Sequence, residues 1–370
     1  MFVRSLQLRD FRNYSSADLE LTPGSVVLAG PNGQGKTNVV EAINFLATLG
    51  SHRTSIDSAM IRQGQDAAII RTTLAHENRS ILLELQLNRS EKNKAQVNQA
   101  TAKLRDFPQY ISTVMFAPED LMLIRGEPAN RRRFLDEMIV ARIPRLAGTL
   151  ADYDRVLKQR NTLLKSVRPQ DAKEGDLSTL EIWDDRLVEL GTVIVSERRR
   201  FIQDVHALLA QAYQAIAGEG HQIELKYQAT IEGQDKEQYE KNFRDAVKGA
   251  RLHEVERGQT LFGPHRDDVE LRLNDLPAKG YASHGETWSF ALALKLASAR
   301  LLRSESIVGD PILILDDVFA ELDSSRRQRL AQAIGDFEQI FITAAVEADV
   351  PIELMQQVFH VKRGTIEVAS

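Results

Sequence analysis

The chain has 370 residues, 43% hydrophobic and 27% charged, an ordinary globular balance with enough apolar material for two units. A net charge of -5 excludes a protein coated in positive charge, so any nucleic-acid contact must come from local clusters. The absence of cysteine excludes disulfides and thiolate metal sites, and no apolar run approaches the roughly 18 residues a membrane span requires.

Residues 2–8 alternate in part and predict a strand, with 18–21 a second before the turn at Pro23-Gly24. Arg4 and Arg9 interrupt the apolar residues there, which leaves no hydrophobic signal region, so a soluble cytoplasmic protein is expected. The apolar run 26–29 predicts a buried strand, and 37–49 a helix with Val39, Val40, Ile43 and Leu46 at helical spacing. Between them lies Gly30-Pro31-Asn32-Gly33-Gln34-Gly35-Lys36-Thr37, two glycines with four residues between them followed by Lys and Thr. Strand, glycine loop and helix together form a phosphate cradle. The glycines let successive amide hydrogens turn inward, and the helix N-terminus adds its partial positive charge. Lys36 is expected to reach the β- and γ-phosphates of a purine triphosphate, and Thr37 to offer a hydroxyl to Mg²⁺.

Residues 67–99 carry strand-like runs at 68–70 and 81–87, separated by polar turns such as His76-Glu77-Asn78, and predict antiparallel sheet beside the nucleotide site. A further strand is expected over 111–116. From 131 to about 218 glycine becomes scarce and apolar spacing turns helical, predicting two long helices split by the polar stretch 166–178, with Pro144 breaking the first. Connected helices of this kind usually pack antiparallel, so a short helical arm inserted into the nucleotide-binding head is expected, the alternative being an all-helical lobe with no protruding arm. The C-terminal third predicts a helix over 283–302, a strand over 311–315, a helix over 324–334, a strand over 339–343 and a closing hairpin at 358–361 and 365–368. The expected organisation is therefore an α/β head split between 1–130 and 251–370, with the helical insertion at 131–250.

The strand at 311–315 ends in Asp316-Asp317, the way a Walker-B strand delivers charge to Mg²⁺ beside the phosphates; the plain alternative is a helix N-cap. Asp316 is assigned to the metal shell and Asp317 to positioning or deprotonating the attacking water. Ser283-His284-Gly285-Glu286 opens a helix, and Ser with Glu three residues on is a capping box. Capping does not explain Gly285, which costs about 1 kcal/mol relative to alanine inside a helix. An exposed helix start with a serine and a flanking glycine also presents amides to a γ-phosphate supplied from elsewhere.

The loop 30–37, Ser283-His284-Gly285-Glu286, Asp316-Asp317 and Ala320-Glu321-Leu322-Asp323 resemble the Walker A, signature, Walker B and D-loop set of the ABC-type ATPases. Five strings, in order over nearly the whole chain, resemble the RecF family of bacterial DNA replication and repair proteins, in the SMC/Rad-like group. They are Leu8-Arg9-Asp10-Phe11-Arg12-Asn13-Tyr14, Ala117-Pro118-Glu119-Asp120-Leu121, Pro128-Ala129-Asn130-Arg131-Arg132-Arg133-Phe134-Leu135-Asp136, Gly263-Pro264-His265-Arg266-Asp267-Asp268 and Asp316-Asp317-Val318-Phe319-Ala320-Glu321-Leu322-Asp323. The resemblance implies an ABC-type ATPase head, a mixed sheet with a P-loop core plus an antiparallel sheet, carrying an inserted helical arm. It implies an ATP-dependent homodimer sandwiching two ATP molecules with Mg²⁺. It further implies binding at single-strand/double-strand junctions of gapped DNA, and recombinase loading with mediator proteins of the RecR/RecO type during repair, replication and the SOS damage response. It places Lys36 and Thr37 on phosphate and metal, Asp316 on the metal and Asp317 on the water. Ser283 and Gly285 would meet the partner subunit's γ-phosphate, Asp323 the subunit interface, and Arg12 the neighbourhood of the nucleotide.

Two departures from the wider ABC pattern predict slow turnover, the behaviour of a switch: Asp317 stands where Glu is usual, and Ala344-Ala345 where many relatives put a histidine. The region just after Phe116 is the candidate Q-loop. Arg131-Arg132-Arg133 and Arg198-Arg199-Arg200 read either as phosphate contacts to DNA or as helix faces paired with Asp136, Glu137 and Glu197. Gly263-Pro264-His265-Arg266-Asp267 reads as a turn or, by its density of polar groups, as a site near the nucleotide or subunit interface. The rival readings are weaker. A transporter's nucleotide-binding subunit does not need so long a helical insertion between Lys36 and Ser283. A chromosome-organising ATPase needs a tether, and these helices, at about 1.5 Å per residue, give a stub. A P-loop GTPase needs Asn-Lys-x-Asp, and Asn93-Lys94-Ala95-Gln96 ends in the wrong residue.

Overall fold

Alternation over the first twenty residues folds as an antiparallel pair, β1 (Phe2–Phe11) and β2 (Tyr14–Glu20), in register from Ser5 opposite Glu20. The computed structural model describes residues 1–51, 53–54, 56–77, 79–167, 178–306 and 309–369. These fall into two units: Met1–Arg125 with Ala207–Ile223 and Ala278–Ser370, and Gly126–His206 with Glu224–Pro277. The divisions lie away from 130/131 and 250/251, because residues 251–277 go with the inserted unit and 207–223 with the head.

The head has two sheets. One runs β2-β1-β4-β5-β6-β7, with β4 (Ala67–His76), β5 (Arg79–Asn88), β6 (Lys94–Val97) and β7 (Ala100–Ala102), antiparallel throughout. The other runs β15-β14-β3-β13-β12-β8, with β3 (Gly24–Ala29), β8 (Thr113–Phe116), β12 (Ile312–Asp316), β13 (Gln339–Ala344), β14 (Gln357–Lys362) and β15 (Thr365–Val368). It is parallel except for the β14–β15 hairpin. β12 and β13 are buried at every residue, which is why they read as unbroken apolar runs. Helix Lys36–Thr48 is sandwiched in one core. Val39, Val40, Ile43 and Leu46 join Leu6 and Leu8 of β1, Leu83 and Leu85 of β5, and Val26, Ile314 and Phe341 of the parallel sheet. Helix His284–Glu305 packs on β8 and on the short helix Leu121–Arg125.

The inserted unit is helical only in part. Pro144 falls in the break between helices Pro128–Arg142 and Leu146–Ser166, and the long helix Ser178–Ala217 follows, of which residues up to His206 belong to this unit. Of the predicted divider 166–178, residues 168–177 lie outside the described residues, as does Asn78 of the earlier turn. Helices Lys236–Gly249 and Arg251–Arg257 and a three-stranded sheet of β9 (Ile223–Gln228), β10 (Asp268–Leu273) and β11 (Leu276–Pro277) complete it. Its core joins Tyr153 and Val156 to Leu187, Val188, Ile194, Tyr239 and Phe243.

Candidate functional site

Strand β3 delivers the chain into the glycine loop, where Gly30, Gly33 and Gly35 take φ of 149°, 77° and 122°, the region side chains avoid. At two of them space is also decisive. A Cβ on Gly30 would lie 2.3 Å from the Val361 carbonyl oxygen, and one on Gly35 2.8 Å from the Tyr14 hydroxyl. Helix Lys36–Thr48 then starts at Gly35 with no side-chain cap and no acid in its first turn, which leaves its N-terminal field open to an anion. Lys36 is buried at 3% exposure, and its ammonium donates to the carbonyls of Gly30 (2.7 Å) and Pro31 (3.2 Å) and to Asn32 Oδ1 (3.4 Å). These are exchangeable partners for a cation beside an uncapped helix start.

Beside it, the Thr37 hydroxyl donates to Asp316 Oδ1 at 2.9 Å. Asp316 is brought there by β12, whose neighbour β13 contributes Thr343, donating to the same oxygen at 2.6 Å. Burial pushes the Asp316 carboxyl up to about 6, against the two threonine hydrogen bonds, with the charges of Asp317 and Glu119 adding to the rise. Glu119 follows β8, so the candidate Q-loop region acts electrostatically on this carboxylate. Asp317 has φ 51°, rare for a residue with a side chain, and is anchored by its amide donating to Thr343 Oγ1 at 2.9 Å. Its Oδ1 is buried without a hydrogen-bond partner among the described residues; burial raises its pKa and the charge of Lys36 opposes the rise. An orphaned carboxylate on a strained residue, next to a buried ammonium, fits a group that handles a proton or a water. A hydroxyl and a carboxylate in hydrogen-bond contact are the oxygen donors Mg²⁺ favours, so Thr37 and Asp316 fit a metal held with a polyphosphate.

Arg12, also at positive φ (54°), turns its guanidinium onto Glu41 of the loop's own helix, at 2.8 and 2.5 Å, and onto the Ala59 carbonyl at 2.9 Å. Burial alone would raise the Glu41 carboxyl, but hydrogen bonds from Arg12 and Ser51 and the nearby guanidinium charges outweigh it and hold it below its ordinary value. Arg12 therefore stands at the base of the phosphate loop. Its neighbours hold the loop directly: Asn13 Nδ2 donates to the Gln34 carbonyl at 2.8 Å and the Tyr14 hydroxyl to the Gly35 carbonyl at 3.1 Å.

Ser283, Gly285 and Asp323 form a second group. Ser283 caps helix His284–Glu305 in a full capping box with Glu286, at 2.8 and 3.3 Å. Beside Gly285 stands a residue that sequence reasoning passed over: a Cβ there would lie 2.8 Å from a guanidinium nitrogen at the mobile end of the Arg326 side chain. Arg326 in turn pairs with Asp323 at 2.9 Å, and Asp323 caps helix Ser324–Ile334 through the Arg326 amide. Signature turn and D-loop are thus one assembly, with Ser283 and Asp323 exposed.

Both arginine runs of the inserted unit are largely consumed by its own fold. Arg131 grips Asp268 with two nitrogens (2.7 and 2.9 Å), Arg198 grips Asp136 likewise (2.8 Å each) and donates to the Pro264 carbonyl. Arg132 donates to the Asp267 carbonyl, and Arg199 lies over the Tyr239 ring at 5.2 Å. Arg133 and Arg200 are exposed and pair with Glu137 and Asp204 at one turn's spacing. The Gly263–Asp267 string is where these networks meet. Asp267 accepts from the Tyr227 hydroxyl and from Thr230, while His265 accepts at Nδ1 from the Tyr153 hydroxyl (2.8 Å) and donates through Nε2 to the Thr260 carbonyl (3.3 Å).

Residues 2–367 match the family model described as the RecF/RecN/SMC N terminal domain. The chain is 54% identical to the DNA replication and repair protein RecF of Clavibacter sepedonicus, over 99% of this chain and 95% of that one. It is 52% identical to the same-named protein of Leifsonia xyli subsp. xyli, over 99% of each. A solved structure of the recombination mediator protein RecF with ATP, in the RecFOR pathway, superposes with a TM-score of 0.90 at 25% identity, covering 100% of this chain and 98% of that chain.

Proposed function

Because the chain belongs to the RecF/RecN/SMC N-terminal domain family, and within it to the RecF proteins, we propose that it is an ATP-dependent DNA-binding protein of recombinational repair and replication, in which ATP joins two copies. The observation that carries this reading is the convergence of Lys36, Thr37 and Asp316 at the uncapped start of one buried helix. The relative solved with ATP supports the choice of nucleotide.

In this reading the amides of residues 33–37 and the Lys36 ammonium take the β- and γ-phosphates, Lys36 giving up its loop carbonyls. Thr37 and Asp316 hold Mg²⁺, which neutralises charge on the phosphate oxygens when bound. Asp317 orients the attacking water and accepts its proton, a task suited by a carboxylate whose pKa burial has raised. Its short side chain and the missing histidine after β13 make hydrolysis slow, so nucleotide state is a switch. Ser283, Gly285 and Asp323, exposed or half-buried and tied together by Arg326, face the nucleotide of the second copy. The dimer binds gapped DNA at single-strand/double-strand junctions and works with mediator proteins of the RecR/RecO type. Exposed Arg133 and Arg200 are the members of the two basic runs most available to DNA. No helix of the described residues is long and apolar enough to cross a membrane, in keeping with a cytoplasmic site of action.

The test follows dimerisation by light scattering with ATP and with ADP, for the unaltered protein, Lys36→Arg and Asp317→Asn, each with and without gapped DNA. ATP drives the unaltered protein to a dimer and Asp317→Asn prolongs it. A protein that binds ATP and stays monomeric on gapped DNA overturns the reading.

A further inference from the structure

We propose that the turn joining β14 to β15, Arg363-Gly364, is a clamp on the phosphate loop, so that nucleotide affinity is set in part from the closing hairpin. The proposal rests on the reading of that loop as an ATP site and names the backbone groups that position it.

The loop needs such a restraint. Gln34 sits between Gly33 and Gly35, both at positive φ, so the segment that must aim its amides at phosphate has little conformational preference of its own. Gln34 is instead gripped from outside at two atoms. Its carbonyl oxygen accepts from the Gly364 amide (3.1 Å) and from Asn13 Nδ2 (2.8 Å), and its side-chain Oε1 accepts from the Arg363 amide (2.9 Å). The remaining Gln34 Nε2 donates back to the Asn32 carbonyl at 3.4 Å, within the loop.

The fit is close enough to dictate residue type. Gly364 has φ 75°, and a Cβ there would lie 2.6 Å from the Asn13 carbonyl oxygen, a backbone atom that cannot swing aside. Upstream on the same hairpin, the Val361 carbonyl oxygen fills the space where a Cβ on Gly30 would stand, at 2.3 Å. Loop and hairpin therefore touch at both ends of the phosphate cradle. The hairpin is itself a fixed frame, because β14 pairs in parallel with β3 from Gln357 opposite Val26 to His360 opposite Ala29. The strand that carries the clamp thus lies alongside the strand that ends in the loop. Both clamping donors are main-chain amides, so the exposed Arg363 side chain is not required. A loop held in its binding conformation spends less of its interaction energy on ordering, and a released one spends more.

The experiment uses the full chain. ATP and ADP affinities, the KM and kcat for ATP, melting temperature and amide hydrogen exchange at residues 33–36 are measured for the unaltered protein, Gly364→Ala, Gln34→Ala and Arg363→Ala. Gly364→Ala raises Kd for both nucleotides and KM by about tenfold, leaves kcat within about twofold, and speeds exchange at 33–36 in the nucleotide-free protein. Gln34→Ala, which loses one acceptor, gives a smaller shift in the same direction and serves should Gly364→Ala fold poorly. Arg363→Ala matches the unaltered protein. Wild-type affinity and exchange in both Gly364→Ala and Gln34→Ala overturn the clamp, as does loss of affinity in Arg363→Ala alone, which would make the side chain the contact. An unaltered protein that binds no ATP overturns the parent reading instead, and the exchange rates of the nucleotide-free variants still decide whether the turn holds the loop.

Discussion

The Thr343 hydroxyl lies 2.6 Å from Asp316 Oδ1 and is buried with it. The same oxygen atom of Thr343 accepts the Asp317 amide at 2.9 Å, so one hydroxyl orients both carboxylates at the end of β12. Thr343→Val preserves shape and removes both bonds, at a cost of about 1–3 kcal/mol for the buried groups left unpaired. ATP hydrolysis is expected to fall about tenfold or more, with nucleotide affinity changed less, since losing a positioning bond in the transition state acts on kcat. Thr343→Ser retains the hydroxyl and most of the rate. Steady-state ATPase assays and denaturant melts of the three proteins check this.

Arg326 packs against Gly285 while pairing with Asp323. Arg326→Ala frees the signature turn from the D-loop without touching Lys36, Thr37 or Asp316. ATP affinity of the monomer is expected to stay within about twofold and the ATP-induced dimer to weaken at least about tenfold, about 1.4 kcal/mol. Fluorescent-nucleotide titration and light scattering separate the two effects.

Acid sensitivity is expected from His265. Burial lowers its pKa to about 4 from 6.5, so between those values the unfolded chain takes up a proton that the folded unit does not. The stability tied to the neutral ring is present above pH 6.5 and is lost as pH falls toward 4, by at most about 3 kcal/mol. Melting temperatures at pH 7.5 and pH 5 are expected to fall further apart in the unaltered protein than in His265→Gln, which keeps an N–H for the Thr260 carbonyl. Equal drops in both would show that another group carries the acid response.

Arg160 is fully buried and divides its guanidinium among Asp184 (2.7 Å), Glu254 (2.6 Å) and Thr260 (2.9 Å). Arg160→Met keeps the bulk and takes the arginine from buried Glu254, while Asp184 keeps Arg251 at 2.8 Å, and is expected to cost about 3–5 kcal/mol in urea unfolding. Adding Glu254→Gln recovers part of that loss.

What was readable in advance was local chemistry. The helix over Ser324–Ile334 and the hairpin strand Thr365–Val368 follow from spacing and turn residues within a few positions, and Ser283 with Glu286 declares its own cap. What was not readable depends on partners far along the chain. Nothing near Gly285 in the sequence shows that Arg326 lies beside it from another helix. Arg131 and Arg198 read either as DNA contacts or as paired charges because their true partners are distant in sequence: Asp268, which consumes Arg131, is 137 residues away, and Asp136, which Arg198 grips, is 62 residues away. Thr343 is one more threonine at a strand end, and only the pairing of β13 with β12 puts it between two carboxylates. The short strands β9 to β11 escaped because the helical periodicity around them dominates any window wide enough to detect it.

The place of β3, hydrogen-bonded to β13 on one side and β14 on the other, ties nucleotide capture to protein synthesis. While the ribosome is still making the inserted unit, the glycine loop has already emerged but the strands that flank it have not yet been translated. A nascent or prematurely terminated chain that stops short of Gly364 carries the glycine loop without the hairpin amides that hold Gln34 in the finished fold. Under the proposed clamp, only a polypeptide translated through its closing hairpin would hold the glycine loop as the finished fold does.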